Sequence, residues 1–381
     1  MAGPDPPVPP SLHSDPAWIG PPAWARERTC RRNSLPFVSV SGSPYQMGRQ
    51  HGEAAERLIR RTLRARADLA ARATGTSVDA VVRAGLRYRP LVEDRFPRLV
   101  EEVRGIAAGA GITFAEAFFI QVATEVSFRA AGCSAVAIRT EAADWIVAQN
   151  WDAAPEVLGT HIVLHLRPDD RPEAVMFTYA GVVGYMGVNA HGVCHVATQL
   201  LTSDWRAGVP HYFVKRLFLE LASVEECLAV ARRAAISSSA TYILGDGARA
   251  VGIEWCPTSM ATFGGERFGH TNHLVDPRLR ALERYVEQLP DTIDRLARHR
   301  TLLPDAVSLD GVRSILSDHT GYPASICRHG GAGGLRTLAS VIFEPSRRRM
   351  HVAYGNPCAT RYDTYCADGT RAATAGGHGH G

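Results

Sequence analysis

A chain of 381 residues can bury one large core or two modest ones, and 45% apolar with 21% charged residues is ordinary for a globular protein. The formal charge of +4 rests almost wholly on arginine, Lys215 being the only lysine, which reads as GC-rich coding rather than a phosphate-binding stripe. Neither a basic and apolar leader nor a run of about 18 apolar residues occurs, so a cytoplasmic protein with no membrane and no nucleic-acid partner is expected.

Residues 1–34, with eight prolines in the first 22 positions, read as a disordered arm. LPFVSVSG at 35–42 predicts a first strand. A helix follows, with Ser43 as cap, Pro44 in the first turn and Gln46 completing a capping box. It is expected to run to about residue 73 through Gly48 and Gly52, each costing up to about 1 kcal/mol mid-helix, which implies a closely packed neighbour. Further helices are predicted at 77–88 and 97–109, and a second capping box, Thr113 with Glu116, opens another.

From Gly132 the pattern changes. CSAVAIRT, WIVAQNW, HIVLHLRP, AVMFTYA, YMGVNA and GVCHVATQL are short β-rich runs separated by turn signals, at hairpin spacing. Helices are predicted at 210–221 and 223–234, then strands at TYILGD, AVGIEW and MATFG. A helical block at 277–303 and a last hairpin, TLASVIFEP with RRRMHVAYG, complete the core. The tail from 369, ending GGHGHG, reads as flexible. This order predicts an α+β fold: two stacked antiparallel sheets covered by helices on both outer faces.

Eight cysteines, from Cys30 to Cys366, include no CxxC pair, which fits a reducing compartment. No His, Cys and carboxylate set has compact ligand spacing, so neither metal nor cofactor is expected; His191 and His195 read as sheet neighbours. The dipeptide Gly132-Cys133 stands out. A cysteine nucleophile requires a base and an oxyanion donor. One reading supplies a histidine, such as His273 beside Asn272. The other breaks the Gly132–Cys133 bond, whose small first residue admits attack by the thiol within a strained turn. The freed α-amine, with a pKa near 7.7–8.0, then serves as base for its own sulfur. A plain buried strand cysteine is the third reading.

GCSAVAI…AQNWD, together with GSPYQMGRQHG (42–52), GHTNH (269–273), SICRH (325–329) and YGNPC (354–358), resembles the acyl-CoA:6-aminopenicillanate acyltransferase family of self-processing N-terminal-nucleophile enzymes (peptidase C45) over residues 35–365. The resemblance implies a four-layer αββα sandwich and a zymogen that cuts itself at Gly132–Cys133. A helical segment over 35–132 and a catalytic core over 133–368 would then stay associated as two fragments. It implies Cys133 as nucleophile and base, Asp152 as partner of the new amine, Asn272 as oxyanion donor and Arg328 as the group positioning a carboxylate, with Ser134 and Asn150 in support. The substrates implied are a small-molecule acyl amide or acyl-CoA thioester and an amine or water as acceptor. The family's frequent hydroxyl at the second position after the nucleophile is here Ala135. Two other functions stay open: an uncleaved cysteine hydrolase with a histidine base, and a binding protein using Arg57, Arg60, Arg61, Arg64 and Arg66.

Overall fold

The computed structural model describes residues 35–127, 132–330 and 334–372; the arm over 1–34 and the tail beyond 372 lie outside it. One sheet has eight strands, ordered β1 (Phe37–Gly42), β4 (His161–Pro168), β5 (Ala174–Tyr179), β6 (Met186–Asn189), β7 (Cys194–Gln199), β8 (Ala240–Gly245), β9 (Ala250–Trp255) and β10 (Met260–Phe263). The other has seven: β11 (Arg267–His270), β2 (Gly132–Arg139), β3 (Trp145–Ala153), β12 (Arg336–Glu344), β13 (Arg349–Ala353), β14 (Asp363–Cys366) and β15 (Arg371–Ala372). Helices α1 (Pro44–Thr74), α2 (Val78–Gly85), α3 (Arg89–Arg95), α4 (Pro97–Ala110), α5 (Phe114–Ser127), α6 (His211–Phe218) and α7 (Val224–Arg233) gather on the side of the first sheet. Helices α8 (Asp291–Leu302) and α9 (Leu309–Leu316) cover the second. The result is the expected αββα order.

Side-chain alternation along β2 and β3 divides the core between two layers. Cys133, Ala135, Ala137, Val147 and Trp151 face the first sheet and join the large central cluster. Val136, Ile138, Ile146 and Ala148 face outward and pack with Leu303, Val312 and Ile315.

The capping boxes form as read: Ser43 accepts from the Gln46 N–H, and Thr113 from that of Glu116. The neighbour implied by the α1 glycines is α4. A Cβ on Gly48 would lie 2.0 Å from the Glu102 carbonyl oxygen, and one on Gly105 of α4 would lie 2.2 Å from that of Tyr45. These glycines let two backbones touch.

Four expectations are corrected. The sheets are not wholly antiparallel, because β1 pairs parallel with β4. Residues 277–290 are not helical; only a 3₁₀ turn at Arg280–Leu282 precedes α8. Carboxylates organise that stretch instead: Glu254 accepts the N–H groups of Val275 and Asp276, while Glu283 accepts those of Leu274, Tyr285 and Val286. The sheet continues past the last predicted hairpin, through β14 and β15. Residue 369 is thus not the start of a loose tail, since Gly369 turns the chain so that Arg371 stacks over Phe37 at 4.3 Å. Finally, Gly132 is a strand residue with no left-handed φ, so it does not sit in a strained turn.

Candidate active site

Residue Cys133 is second in β2, one of the two central strands joined by the β2–β3 hairpin. Its register partners place Cys133 opposite Trp151 and Gly132 opposite Asp152. Directly opposed residues share a face. The Asp152 side chain therefore stands over Gly132, on the outer face of the sheet, while the Cys133 thiol projects into the space between the sheets. The two groups bracket the Gly132–Cys133 peptide from opposite sides.

On the outer face four charges meet, of which Asp152, Arg295 and Arg328 are buried. Asp152 accepts from Thr337 Oγ1 at 2.7 Å, and its carboxyl is raised by burial against the opposing pull of Arg328 and Arg295. Arg328, 2% exposed, is paired with Asp291, and its Nη1 would lie 3.0 Å from a Cβ placed on Gly132. Arg295 donates through Nη1 to the Cys133 carbonyl at 2.5 Å and to Ser134 Oγ at 3.0 Å. Its Nη2 donates to Asn272 Oδ1 at 3.0 Å, and it is also 3.7 Å from Asp291.

The orientation of Asn272 follows from this network. A guanidinium can only donate, so the amide atom facing Arg295 must be oxygen. That oxygen also accepts the Cys133 N–H at 2.9 Å, while Nδ2 donates to the Gln199 carbonyl at 3.0 Å. Asn272 thus holds the nitrogen of Cys133 rather than aiming its amide at an oxyanion.

Of the expected site residues, the structure brings Gly132, Cys133, Asp152, Asn272 and Arg328 together, with Ser134 at the margin. Asn150 is elsewhere: its Nδ2 donates to the carbonyls of Leu316 and Ile326, tying β3 to the α9 layer. Ser134 does not supply the hydroxyl lacking at Ala135, because the two residues point to opposite faces of β2. Sequence reasoning missed Arg295, Thr337 and Asp291. An acidic residue and an arginine at i,i+4 were legible as a helix pair, but only the fold aims that arginine at Cys133.

The thiol opens on a cavity of about 110 Å³ lined by Trp151, Tyr179, Tyr185, Tyr212, Lys215 and Arg66, among others. Tyr179 and Tyr185 meet edge to face at 5.6 Å, as do Tyr185 and Tyr212. Lys215 Nζ sits 4.4 Å from the Tyr185 ring centroid, and the Arg66 guanidinium 4.7 Å from that of Tyr179. Burial pulls Lys215 down to about 8, against the opposing effects of Cys133 and Glu125. Burial, reinforced by Asp152, pushes the Cys133 thiol up to about 12, although the Asp152 backbone N–H faces the sulfur. The thiol is therefore protonated near neutrality. The only lysine of the chain and an arginine from the expected solvated helix face both belong to this cavity.

Among the described residues no histidine hydrogen-bonds Cys133. His211, in the cavity wall, has both ring nitrogens engaged, by Tyr242 at 2.5 Å and the Ser238 carbonyl at 2.8 Å. His273 is held by Thr292 at 3.0 Å.

A two-sheet sandwich with helices on both faces, and a cysteine leading a central strand among buried charges, is the layout of an acyl-transferring or amide-cleaving enzyme. The chain belongs to the acyl-coenzyme A:6-aminopenicillanic acid acyl-transferase family, whose model matches residues 138–359. It is 28% identical over 336 residues to the 40 kDa form of acyl-coenzyme A:6-aminopenicillanic-acid-acyltransferase of Emericella nidulans, covering 84% of this chain and 92% of that protein. It is 23% identical over 310 residues to the β-alanyl-dopamine/carcinine hydrolase of Drosophila melanogaster, covering 71% and 79% respectively. Penicillin V acylase from Agrobacterium tumefaciens aligns with a TM-score of 0.39 at 15% identity, over 58% of this chain and 82% of its own. No helix among the described residues is long and apolar enough to cross a membrane.

Proposed function

We infer that the protein is a self-processing cysteine amidohydrolase or acyltransferase acting through an acyl-Cys133 intermediate. The observation that carries this reading is the bracketing of one peptide bond: Gly132 beneath Asp152 and Arg328, the Cys133 nitrogen held by Asn272, and the thiol in an aromatic-walled cavity. In the first stage the thiol adds to the Gly132 carbonyl and the peptide nitrogen leaves with a proton, giving a thioester. Water cleaves the thioester, releasing the Gly132 carboxylate and restoring the Cys133 thiol beside its own, now free, amine.

In the second stage that amine takes the thiol proton as sulfur attacks the substrate carbonyl. A base is required because the buried thiol titrates at about 12. Asp152, whose carboxyl burial raises in the uncut chain against the pull of Arg328 and Arg295, becomes the natural partner of the ammonium that forms. Asn272 keeps its oxygen on the nitrogen and shares Nδ2–H between the Gln199 carbonyl and the developing oxyanion. Arg295 and Arg328 hold the strand carbonyl and the carboxylates in place. The amine leaving group, or the CoA thiolate, departs protonated, and water or a second amine releases the acyl group.

The cavity indicates the substrate. Four aromatic walls suit an apolar or aromatic group, and Lys215 with Arg66 suit a carboxylate on the same small molecule. A histidine base is less well supported, since the nearest cavity histidine has both nitrogens committed. The arginine-surface reading is weakened too. Arg60 and Arg61 donate to the carbonyls of Gly111 and Leu158, and Arg66 donates to Thr124.

Intact mass spectrometry of the denatured protein is the test. Two species that meet at Gly132/Cys133, absent in Cys133→Ala, are expected. A fully active preparation containing only the uncut chain would refute the reading.

A further inference from the structure

Away from the cavity, the loop after α9 and the turn after β13 gather two histidines and two cysteines. His319, Cys327, His329 and Cys358 place one ligand atom each within 4.8 Å of all the others. The pairs are close: Sγ of Cys327 to Sγ of Cys358 is 3.7 Å, and His329 Nε2 lies 3.6 Å and 3.3 Å from those two sulfurs. His319 Nε2 is 2.9 Å from His329 Nε2. Both cysteines are unbridged.

These separations can be compared with a metal tetrahedron. Zinc bonds of about 2.3 Å to sulfur and 2.0–2.1 Å to nitrogen give tetrahedral edges of roughly 3.8 Å for S···S, 3.5 Å for S···N and 3.3 Å for N···N. The thiol–thiol distance and the two His329–thiol distances match those edges; the His319–His329 edge is shorter, and His319 lies within 4.8 Å of both sulfurs. The two imidazole nitrogens lie within hydrogen-bond distance of each other, a contact that a common cation would replace. The donor set is soft and mixed, with no carboxylate, which disfavours magnesium and calcium. Asn356 supplies the outer support typical of thiolate ligands, its Nδ2 donating to Cys327 Sγ at 3.5 Å and to the Arg328 carbonyl at 2.6 Å.

We propose that His319, Cys327, His329 and Cys358 form a closed Cys₂His₂ zinc site that clamps the Arg328-bearing loop to the end of β13. Binding releases the two thiol protons to solvent, and the two thiolates neutralise the dication. The site is structural rather than catalytic, since all four positions are filled by the protein. Its four ligands were illegible as a motif. Cys327-x-His329 is tighter than the usual pair, and Cys358 arrives from a different strand end. Both lie within segments already singled out, SICRH and YGNPC, and Cys327 and His329 flank Arg328 itself. The zinc would thus fix from behind the residue whose guanidinium stands over Gly132 and Asp291.

The test is metal binding, read without any activity assay. The purified full chain, reduced and stripped with chelator, is titrated with zinc and separately with cobalt(II), and bound metal is counted by elemental analysis. One tightly held zinc per chain is expected, with a tetrahedral cobalt spectrum carrying thiolate charge-transfer bands. Zinc should also shield Cys327 and Cys358 from alkylation, mapped by peptide mass, a readout that does not depend on any variant folding. Cys358→Ser and His319→Ala should weaken binding by more than the roughly 10–100-fold that loss of an outer-shell partner costs. Changing His378 and His380 of the tail to alanine should leave the tight site intact. The proposal is overturned if the stripped chain takes up no tight zinc, if cobalt shows no thiolate bands, or if Cys327 and Cys358 alkylate equally with and without zinc.

Discussion

Adding one methyl group at Gly132 tests the geometry of the proposed processing site. In Gly132→Ala the new Cβ would lie 2.9 Å from Asp152 Oδ2, 3.0 Å from Asp152 Cβ and 3.0 Å from Arg328 Nη1. None of these has room to retreat. Asp152 is set in β3 and bonded to Thr337, and Arg328 is locked to Asp291 and fully buried. Overpacking of this kind costs about 1–3 kcal/mol. Relief requires β2 to shift by several tenths of an ångström just where sulfur must meet the carbonyl, and a misplacement near 1 Å costs about 10²-fold in rate. Self-cleavage is therefore expected to slow by one to two orders of magnitude, with a small drop in melting temperature. The assay follows the uncut fraction by denaturing mass spectrometry from the moment of purification, with circular dichroism as the control for folding. Cleavage of Gly132→Ala at the wild-type rate, with unchanged melting, would refute the close approach argued for Gly132.

Three further outcomes are expected. Arg295→Met strips the Cys133 carbonyl and Asn272 Oδ1 of their shared donor, so turnover should fall about 10²–10³-fold in a chain that still folds; steady-state kinetics beside circular dichroism decides it. Burial lowers Lys215 to about 8, so its cation is present below that pH and lost above it, and KM for carboxylate-bearing substrates should rise as pH passes 8 in wild type but not in Lys215→Met. The same shift means the unfolded chain binds the proton more tightly, so this group's contribution to stability grows between about pH 8 and 10.5, a gain the variant should lack in melts across that window. Gly48→Ala drives a Cβ to 2.0 Å from the Glu102 carbonyl; forcing α1 off α4 should cost at least about 3 kcal/mol, read by denaturant unfolding.

Much of the scaffold was legible because its signals are local. Ser43 with Gln46 and Thr113 with Glu116 bond within four residues, so no tertiary knowledge was required. The β2–β3 hairpin was equally readable from turn residues and apolar runs, and with it the neighbourhood of Cys133 and Asp152. Illegible parts depend on distant partners. The stretch at 277–290 has helix-like composition, yet Pro277 and Pro290 bound it and carboxylates from Glu254 and Glu283 hold its N–H groups. Arg295 looked like one arginine among many; its burial beside Cys133 arises from how α8 crosses β2. Lys215 was conspicuous by rarity alone, and Asn150 shared a motif with Asp152 but serves the α9 layer. Composition cannot show which side of a sheet a residue faces until the register is known.

The parallel pairing of β1 with β4 bears on what the proposed processing would leave of the molecule. Strand β1 and helix α1 precede the proposed cut, whereas their neighbours β4, β5 and the rest of that sheet follow it. Opening the Gly132–Cys133 bond would leave two polypeptides woven into one sheet, joined by six residues of backbone pairing and a shared apolar interior. Refolding would then become a second-order search of one piece for the other, so recovery from heat should depend on concentration in the mature form and not in the precursor. Such an enzyme is assembled as one molecule and persists by never having to assemble again.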